Sequence, residues 1–450
     1  MRAIFTRLSI CLLMAISISA CDQKSPAAAI EESSVTETDR SADLAAFRTE
    51  FFDQDKSYSP EARAEAETML NALEQEAASL SEVAFELRIS EIAALADNGH
   101  TLFFTVPWRE KFNRIPVKFI MLNGRLFVGD ADEPHGDIIG AEVVKIGGRD
   151  WPELQRELAK YQGGLLNWKA QFIQNFIESP EVLYAAGLND TQDSLTLGII
   201  ADGNARDVVV EAGMFPAEFE GFEQYFPPAR IVEFARAGED AGQPLYLQDA
   251  GELYRFQWLE GDVAYIQFKT NSRPSGGFDS VSFSADVIGK LEEKQPRAII
   301  LDQRFNPGGD LNTTRDLMQA LPGLVAEDGK VYAITSGKTF SAGISSIGYL
   351  KQTGGDRVVI VGEPIGDRLD FWAEGGVMTL PQSGGMLLYA NERHNYTNGC
   401  PYEECHRSIV VHPISVESLQ PDFLTPLTHD AYMAGRDPSM EKVLELMGGA

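Results

Sequence analysis

Positive charge is scarce in this chain. Lysine and arginine number 38 against 67 aspartates and glutamates, a formal net charge of −29 over 450 residues. That balance argues against a nucleic-acid partner and against electrostatic docking on anionic lipid, since both need clustered basic side chains. Long apolar runs are also missing. Leu8–Ile18 is too short to span a bilayer comfortably, and no other stretch is long and apolar enough. Cysteine occurs four times. Cys11 and Cys21 sit in the N-terminal leader, which leaves Cys400 and Cys405 and no thiol over. Histidine occurs six times, so few positions can supply an imidazole base.

What is present is ordinary in bulk and pointed in detail. A hydrophobic fraction of 44% over 450 residues suits two or three globular domains. The informative stretch is Ala298 to Gly343. The apolar run Ala298-Ile299-Ile300-Leu301 closes on Asp302-Gln303-Arg304-Phe305-Asn306-Pro307-Gly308-Gly309. A second run, Lys330 to Thr335, leads into Ser336-Gly337-Lys338-Thr339-Phe340-Ser341-Ala342-Gly343. Short β-branched runs bounded by Gly and Pro predict buried strands. Leu311 to Leu321 carries apolar residues at helical spacing, so a parallel βαβ unit is expected, with both turns at the carboxyl ends of the strands where ligands bind. Pro307-Gly308-Gly309 can present backbone N–H groups, and small neighbours leave the Ser341 hydroxyl open. On spacing alone, a doubly wound sheet with an ordinary serine stays open.

These residues also resemble the catalytic core of the S41 serine peptidases, the family of the C-terminal processing and tricorn-like proteases. Its pattern runs Asp-x-Arg-x-Asn-x-Gly-Gly, Thr-x-Ser-Ala, Val-Gly-Glu. Here it stands as Asp302 to Gly309, Thr339 to Ala342, and Val361-Gly362-Glu363-Pro364. The resemblance implies an α/β fold, α+β overall. Its parts are an N-terminal helical layer, a small PDZ-like β/α segment, and a ClpP/crotonase-like catalytic core with βαβ units. It implies Ser341 as nucleophile, with the backbone N–H of Gly308 or Gly309 and of Ala342 as oxyanion donors. The processing-protease branch places a basic lysine after Gly-Glu-Pro. This chain has Ile365-Gly366-Asp367-Arg368 there, and arginine stays protonated. The tricorn-like branch instead takes a histidine from an Asp-Gly-His-Thr segment. Asp97, Gly99, His100 and Thr101 resemble it with one extra residue, which implies His100 as general base. Glu363 and Asp97 are the candidate orienting acids. His135 and His429 fall in expected loops, and His394, His406 and His412 match no motif.

Read in order, residues 1–20 look like a secretory leader. Ile18-Ser19-Ala20-Cys21 resembles a bacterial lipobox, which implies lipid on Cys21, while a plain signal peptide is the alternative. Asp22 resembles an inner-membrane retention signal. Residues 21–42 read as a tether poor in anything to bury, and residues 43–114 as three helices, the second capped at Ser59-Pro60 and the third over Ser81–Ala96, then the His100 corner and a strand over Leu102–Val106. Residues 115–244 give a hairpin over Asn123-Gly124, a helix from Trp151 to Leu158, a helix over Asn167–Ala186, and two strands between Asp193 and Ala212. They resemble a degenerate PDZ-like part, with a generic hairpin and helix as the alternative. No clear carboxylate-binding loop is seen. The loop from Phe215 to Pro228, to which no chemistry is assigned, is expected to cover or border the cleft, and residues 245–450 to form the core. In the oxidising compartment that a leader implies, Cys400 and Cys405 are expected to form a disulfide. A metal site with the adjacent His406 is the alternative.

The expected function is a serine-type peptidase of the cell envelope. Its substrate would be a peptide or unfolded protein, with membrane contact through Cys21 and no cofactor, metal centre or nucleic acid. Two alternatives share the cleft: an inactive S41-like protein that binds peptides or ligands, and a hydrolase of small esters or amides.

Overall fold

The computed structural model describes residues 39–214, 243–249, 251–272 and 279–448. The leader with Cys11 and Cys21, nearly all of the tether, and the Phe215–Pro228 loop lie outside the described residues. The fold is mixed α/β. A six-stranded sheet runs in the order Phe423–Leu424, Val358–Gly362, Lys330–Thr335, Ala298–Asp302, Val263–Phe268, Tyr254–Leu259. Its neighbours pair in parallel except Tyr254–Leu259, which returns across the turn at Gly261. Ala298–Asp302 is buried at every position, which is why its run is continuously apolar rather than alternating.

Helices Ser280–Glu293, Arg315–Leu324 and Ala342–Gly354 cover one face of this sheet, with Phe283, Val287, Met318, Leu321, Ile344 and Ile347 in one core. Val443 of the helix Pro438–Leu446 packs with Tyr265, Ile300 and Ile334 on the other. The strand–helix–strand unit forms as expected, although its helix starts at Arg315, after Leu311.

The N-terminal helices form where capping and spacing place them. Ser59 accepts from the Ala62 N–H at 3.1 Å with Pro60 at the first turn, and Ser81 accepts from the Ala84 N–H. Phe47, Leu70, Phe85 and Ile92 of this layer share one apolar core with Phe119, Val143, Leu154 and Leu197. The latter belong to an antiparallel sheet in the order Val117–Leu122, Arg125–Ala131, Glu142–Ile146, Ser194–Ala201, Asn204–Glu211, and to its helix Trp151–Leu158. Asn123 and Gly124 both take positive φ at the hairpin turn.

Two expectations need correction. The strand over Leu102–Val106 is only Leu102–Phe103. Pro107 follows, and the chain turns into the helix Trp108–Lys111. The short strand pairs antiparallel with Met386–Tyr389, so the His100 corner is stitched to the C-terminal part. The helix over Asn167–Ala186 breaks into Leu166–Lys169, Gln174–Ile177 and Pro180–Ala185. Pro180 cannot continue a helix from upstream, and Ser179 caps a new one through the Val182 N–H.

Candidate active site

Ser341 stands between the strand Lys330–Thr335 and the helix Ala342–Gly354, at φ +50° and ψ −124°. A non-glycine residue in that region is strained by about 1–3 kcal/mol, and such strain persists only where surroundings impose it. The surroundings here are a buried amide network. Asn306 donates to Asn271 Oδ1 (2.7 Å) and Gln303 Oε1 (2.8 Å), while its backbone carbonyl accepts from the Phe340 N–H (3.0 Å). Asn271 Nδ2 donates to the Ala342 carbonyl at 3.0 Å. The two turns of the βαβ unit are thereby tied together. The sequence motif contains Asn306 but gives no sign of Asn271.

Gly308 and Gly309 take φ +110° and +131°. A Cβ on Gly308 would lie 2.7 Å from the Ser341 Cβ and 2.8 Å from the Ala342 nitrogen, so only glycine permits this approach. The structure separates the three oxyanion candidates. The Gly308 N–H donates to Asn306 Oδ1 at 3.0 Å and is consumed. Ala342 is the first residue of its helix, where an N–H has no intrahelical partner. Ala342 and Gly309 are therefore the donors left for an oxyanion.

His100 is packed against the residue preceding Ser341. Its ring stacks on Phe340 (centroids 4.4 Å apart, 26° between planes) and on Phe371 (5.5 Å, 8°). Phe340 is in turn stacked on Trp168 at 3.6 Å and 4°. Trp168 Nε1 donates to the Gly99 carbonyl at 3.0 Å. Gly99 is required by space: a Cβ there would lie 2.8 Å from the Phe340 ring and 3.0 Å from Asp367 Oδ2. The positive φ at the helix end falls on Asp97 rather than Gly99. Thr101 donates to the buried Asp55 at 2.7 Å, so the threonine of this segment anchors the corner.

Both His100 nitrogens are buried without a hydrogen-bond partner. The His100 pKa falls from 6.5 to about 3; burial is the main cause, nearby His394 adds to it, and Glu374 opposes both. Neither expected orienting acid is hydrogen-bonded to His100. Asp97 Oδ2 pairs with Arg368 at 2.6 Å. Burial raises the Glu363 carboxyl, and Arg304 and Lys338 lower it. The acid whose charge acts on His100 is Glu374, held below the usual carboxylate range by His394 and, more weakly, by His406 and His100. Sequence reasoning missed Glu374 because no motif surrounds it; it lies where Asp370–Ala373 turns back toward Gly376–Thr379.

Asp302 and Arg304 of the motif serve the fold. Arg304 reaches Asp302 Oδ1 at 3.0 Å and spans both Asp437 oxygens at 3.1 and 2.9 Å. Lys338 is pushed by burial down to about 8, against the opposing charge of Glu363.

The Ser341 turn, the Gly309 and Ala342 N–H groups and a histidine from the N-terminal part lie near the carboxyl ends of a parallel sheet, and no hydrogen bond joins His100 to Ser341. The whole described fold has a solved counterpart. It is similar to the fold of mature CPAF. The complex of mature CPAF with lactacystin aligns at a TM-score of 0.57 with 13% identity, covering 90% of this chain and 98% of that one. An alanine-for-serine mutant of CPAF aligns at 0.56 with 13% identity and the same coverages. The likeness to CPAF is one of fold. No family model matches the chain, and no curated protein matches it.

Asp367 is a testable feature of the corner. Its Oδ2 is buried without a partner, and burial raises its pKa from 3.8 to about 7. Between those values the folded chain holds a proton that the unfolded chain has lost, so stability falls as pH rises through the window. Asp367→Asn is expected to raise the unfolding temperature more at pH 8 than at pH 4, measured by thermal melts across pH. An equal shift at both ends would place the carboxyl in a more polar setting.

Proposed function

We propose that this chain is a serine-type peptidase of the S41 kind, acting on peptides or unfolded protein in the cell envelope. One observation carries the reading: the strained Ser341 turn, with Gly309 and Ala342 N–H groups free beside it and His100 stacked on Phe340. The likeness in fold to CPAF supports it.

In this reading Ser341 Oγ attacks the scissile carbonyl while His100 takes its proton and later gives it to the leaving amine. Gly309 and Ala342 N–H groups hold the oxyanion. The fully desolvated imidazole is a weak base on its own. Glu374 offsets this, since its negative charge favours the imidazolium formed in the transition state.

The test is covalent labelling with a fluorophosphonate probe, followed by cleavage of an unfolded protein substrate. Wild type is expected to label and to cleave, and lactacystin, the compound in the CPAF complex, to compete. With His100 neutral far below its ordinary 6.5, the labelling rate should hold its plateau below that pH. A folded wild type that neither labels nor cleaves sinks the reading. The rival, an inactive cleft that binds peptides, is favoured by the unpartnered His100 nitrogens. It predicts peptide binding without labelling.

Lipid on Cys21 belongs to the same proposal. Among the described residues no helix is long and apolar enough to cross a membrane. Labelled palmitate is expected to enter wild type and not Cys21→Ser when the chain is expressed in bacteria. Incorporation into both variants would remove the anchor.

A further inference from the structure

Beyond Phe371 the aromatic column continues. Phe371 stacks on His394 (5.2 Å, 17°), and His394 on His406 (5.2 Å, 8°). His394 belongs to Glu392–Asn395, which pairs with Asp370–Ala373 and sets Phe371 opposite His394. His406 comes from a different direction. The Cys400–Cys405 disulfide closes the loop before it, Cys405 bridges to Arg393, and the His406 N–H donates to the Arg393 carbonyl at 3.0 Å. Glu374 closes the group from the end of Asp370–Ala373, at φ +53°. A ligand atom from each of Glu374, His394 and His406 lies within 4.8 Å of the others.

The hydrogen bonds around these rings leave their inner nitrogens open. His394 is 3% exposed. Its Nδ1 sits 2.9 Å from the Tyr396 hydroxyl, which in turn contacts Ser345 Oγ at 2.6 Å. His394 Nε2 lies 3.3 Å from Glu374 Oε1 yet has no hydrogen-bond partner. His406 Nδ1 is likewise buried and unpartnered. If Nδ1–H donates to Tyr396, Nε2 turns its lone pair toward a carboxylate. Two electron-rich atoms at that distance need a proton or a metal cation between them. An imidazole whose second nitrogen is held by a fixed partner is also how metal-bound histidines are oriented.

We propose that Glu374, His394 and His406 form a binding site for a divalent cation of the zinc class. Two imidazoles and one carboxylate suit zinc better than calcium or magnesium, which prefer all-oxygen shells. Tetrahedral ligands about 2.1 Å from zinc are roughly 3.4 Å apart. The ligand atoms here lie within 4.8 Å of one another, and the Glu374 side chain is 42% exposed. Three protein ligands leave a fourth position for water, and Glu392 Oε2 lies 3.7 Å from His406 Nε2. The metal alternative at Cys400 and Cys405 is removed because those sulfurs bond each other. His406 keeps a place in a site whose other ligands are distant in sequence. A cation here would offset the Glu374 charge that the proposed peptidase mechanism sets against the His100 imidazolium, so the two readings compete for that side chain.

The test is equilibrium dialysis of the untagged full chain against zinc chloride, with metal content read by atomic emission and cobalt as a spectroscopic stand-in. Wild type is expected to take up one zinc more tightly than His406→Ala or Glu374→Gln by about 10–100-fold, judged against the effect of perturbing a metal's ligand environment. Circular dichroism should show both variants folded. Cobalt should give tetrahedral d–d absorption in wild type alone. Zinc held at the leader cysteines would appear equally in all three proteins. Equal uptake by wild type and either variant, or no uptake by wild type, overturns the site and leaves a His394–Glu374 hydrogen bond in the reverse tautomer.

Discussion

Ser341→Gly is expected to abolish fluorophosphonate labelling while raising the unfolding temperature, two opposite effects from one substitution. Loss of labelling follows because the probe has no oxygen to react with. The gain follows from the backbone. At φ +50° and ψ −124° serine carries strain that glycine does not, about 1–3 kcal/mol, partly offset by glycine's greater unfolded freedom. A net rise of a few degrees is the expectation. Ser341→Ala shares the labelling loss and keeps the strain, so its unfolding temperature should stay near wild type. His100→Ala removes the proposed base, and labelling should fall by at least about 10³-fold. If Ser341→Gly melts at or below wild type, the turn is not strained and the physical case for a functional serine weakens. If His100→Ala labels like wild type, another group activates the serine.

Arg304→Met is the second large expectation, and it concerns stability. Asp302 is fully buried and Asp437 is 7% exposed, and Arg304 spans them. Its guanidinium also lies 4.1 Å over the Tyr246 ring. Removing one partner of a buried ion network leaves uncompensated charge, at a cost of about 3–5 kcal/mol. Arg304→Lys keeps the charge but loses the fork that reaches two oxygens, so an intermediate loss is expected. Urea unfolding followed by tryptophan fluorescence measures both. A loss below about 0.5 kcal/mol for Arg304→Met, the scale of an ordinary surface change, would show that water replaces the guanidinium. The effect on labelling should be indirect, since the Asp302–Arg304–Asp437 network holds the strand end from which Asn306 and Gly308 project.

The local vocabulary of this chain was legible because its causes are local. Ser59-Pro60 and Ser81 start helices through side-chain oxygens a few residues away. Asn123-Gly124 turns a hairpin because both residues tolerate positive φ. Ala298–Leu301 is a buried parallel strand because nothing in it needs water. The crowding of glycine around Ser341 is likewise written in neighbouring letters, and the cysteine pair needed only a short closed loop.

What tertiary structure decided are the partnerships between distant segments. Nothing beside His100 in sequence says that its ring lies on Phe340, or that Trp168 backs that stack after the expected long helix has broken. The Glu374 charge bears on His100 from the end of Asp370–Ala373, which folds against Glu392–Asn395, so an acid that no motif marks acts on the imidazole. Gly308 lost its place as a donor to the Asn306 side chain, a choice between two adjacent glycines that backbone permissiveness alone cannot make. His394 and His406 come together through a strand pair and a disulfide-closed loop. Sequence sets which groups can turn, cap or bury; which charges and rings face each other depends on packing summed over the whole fold.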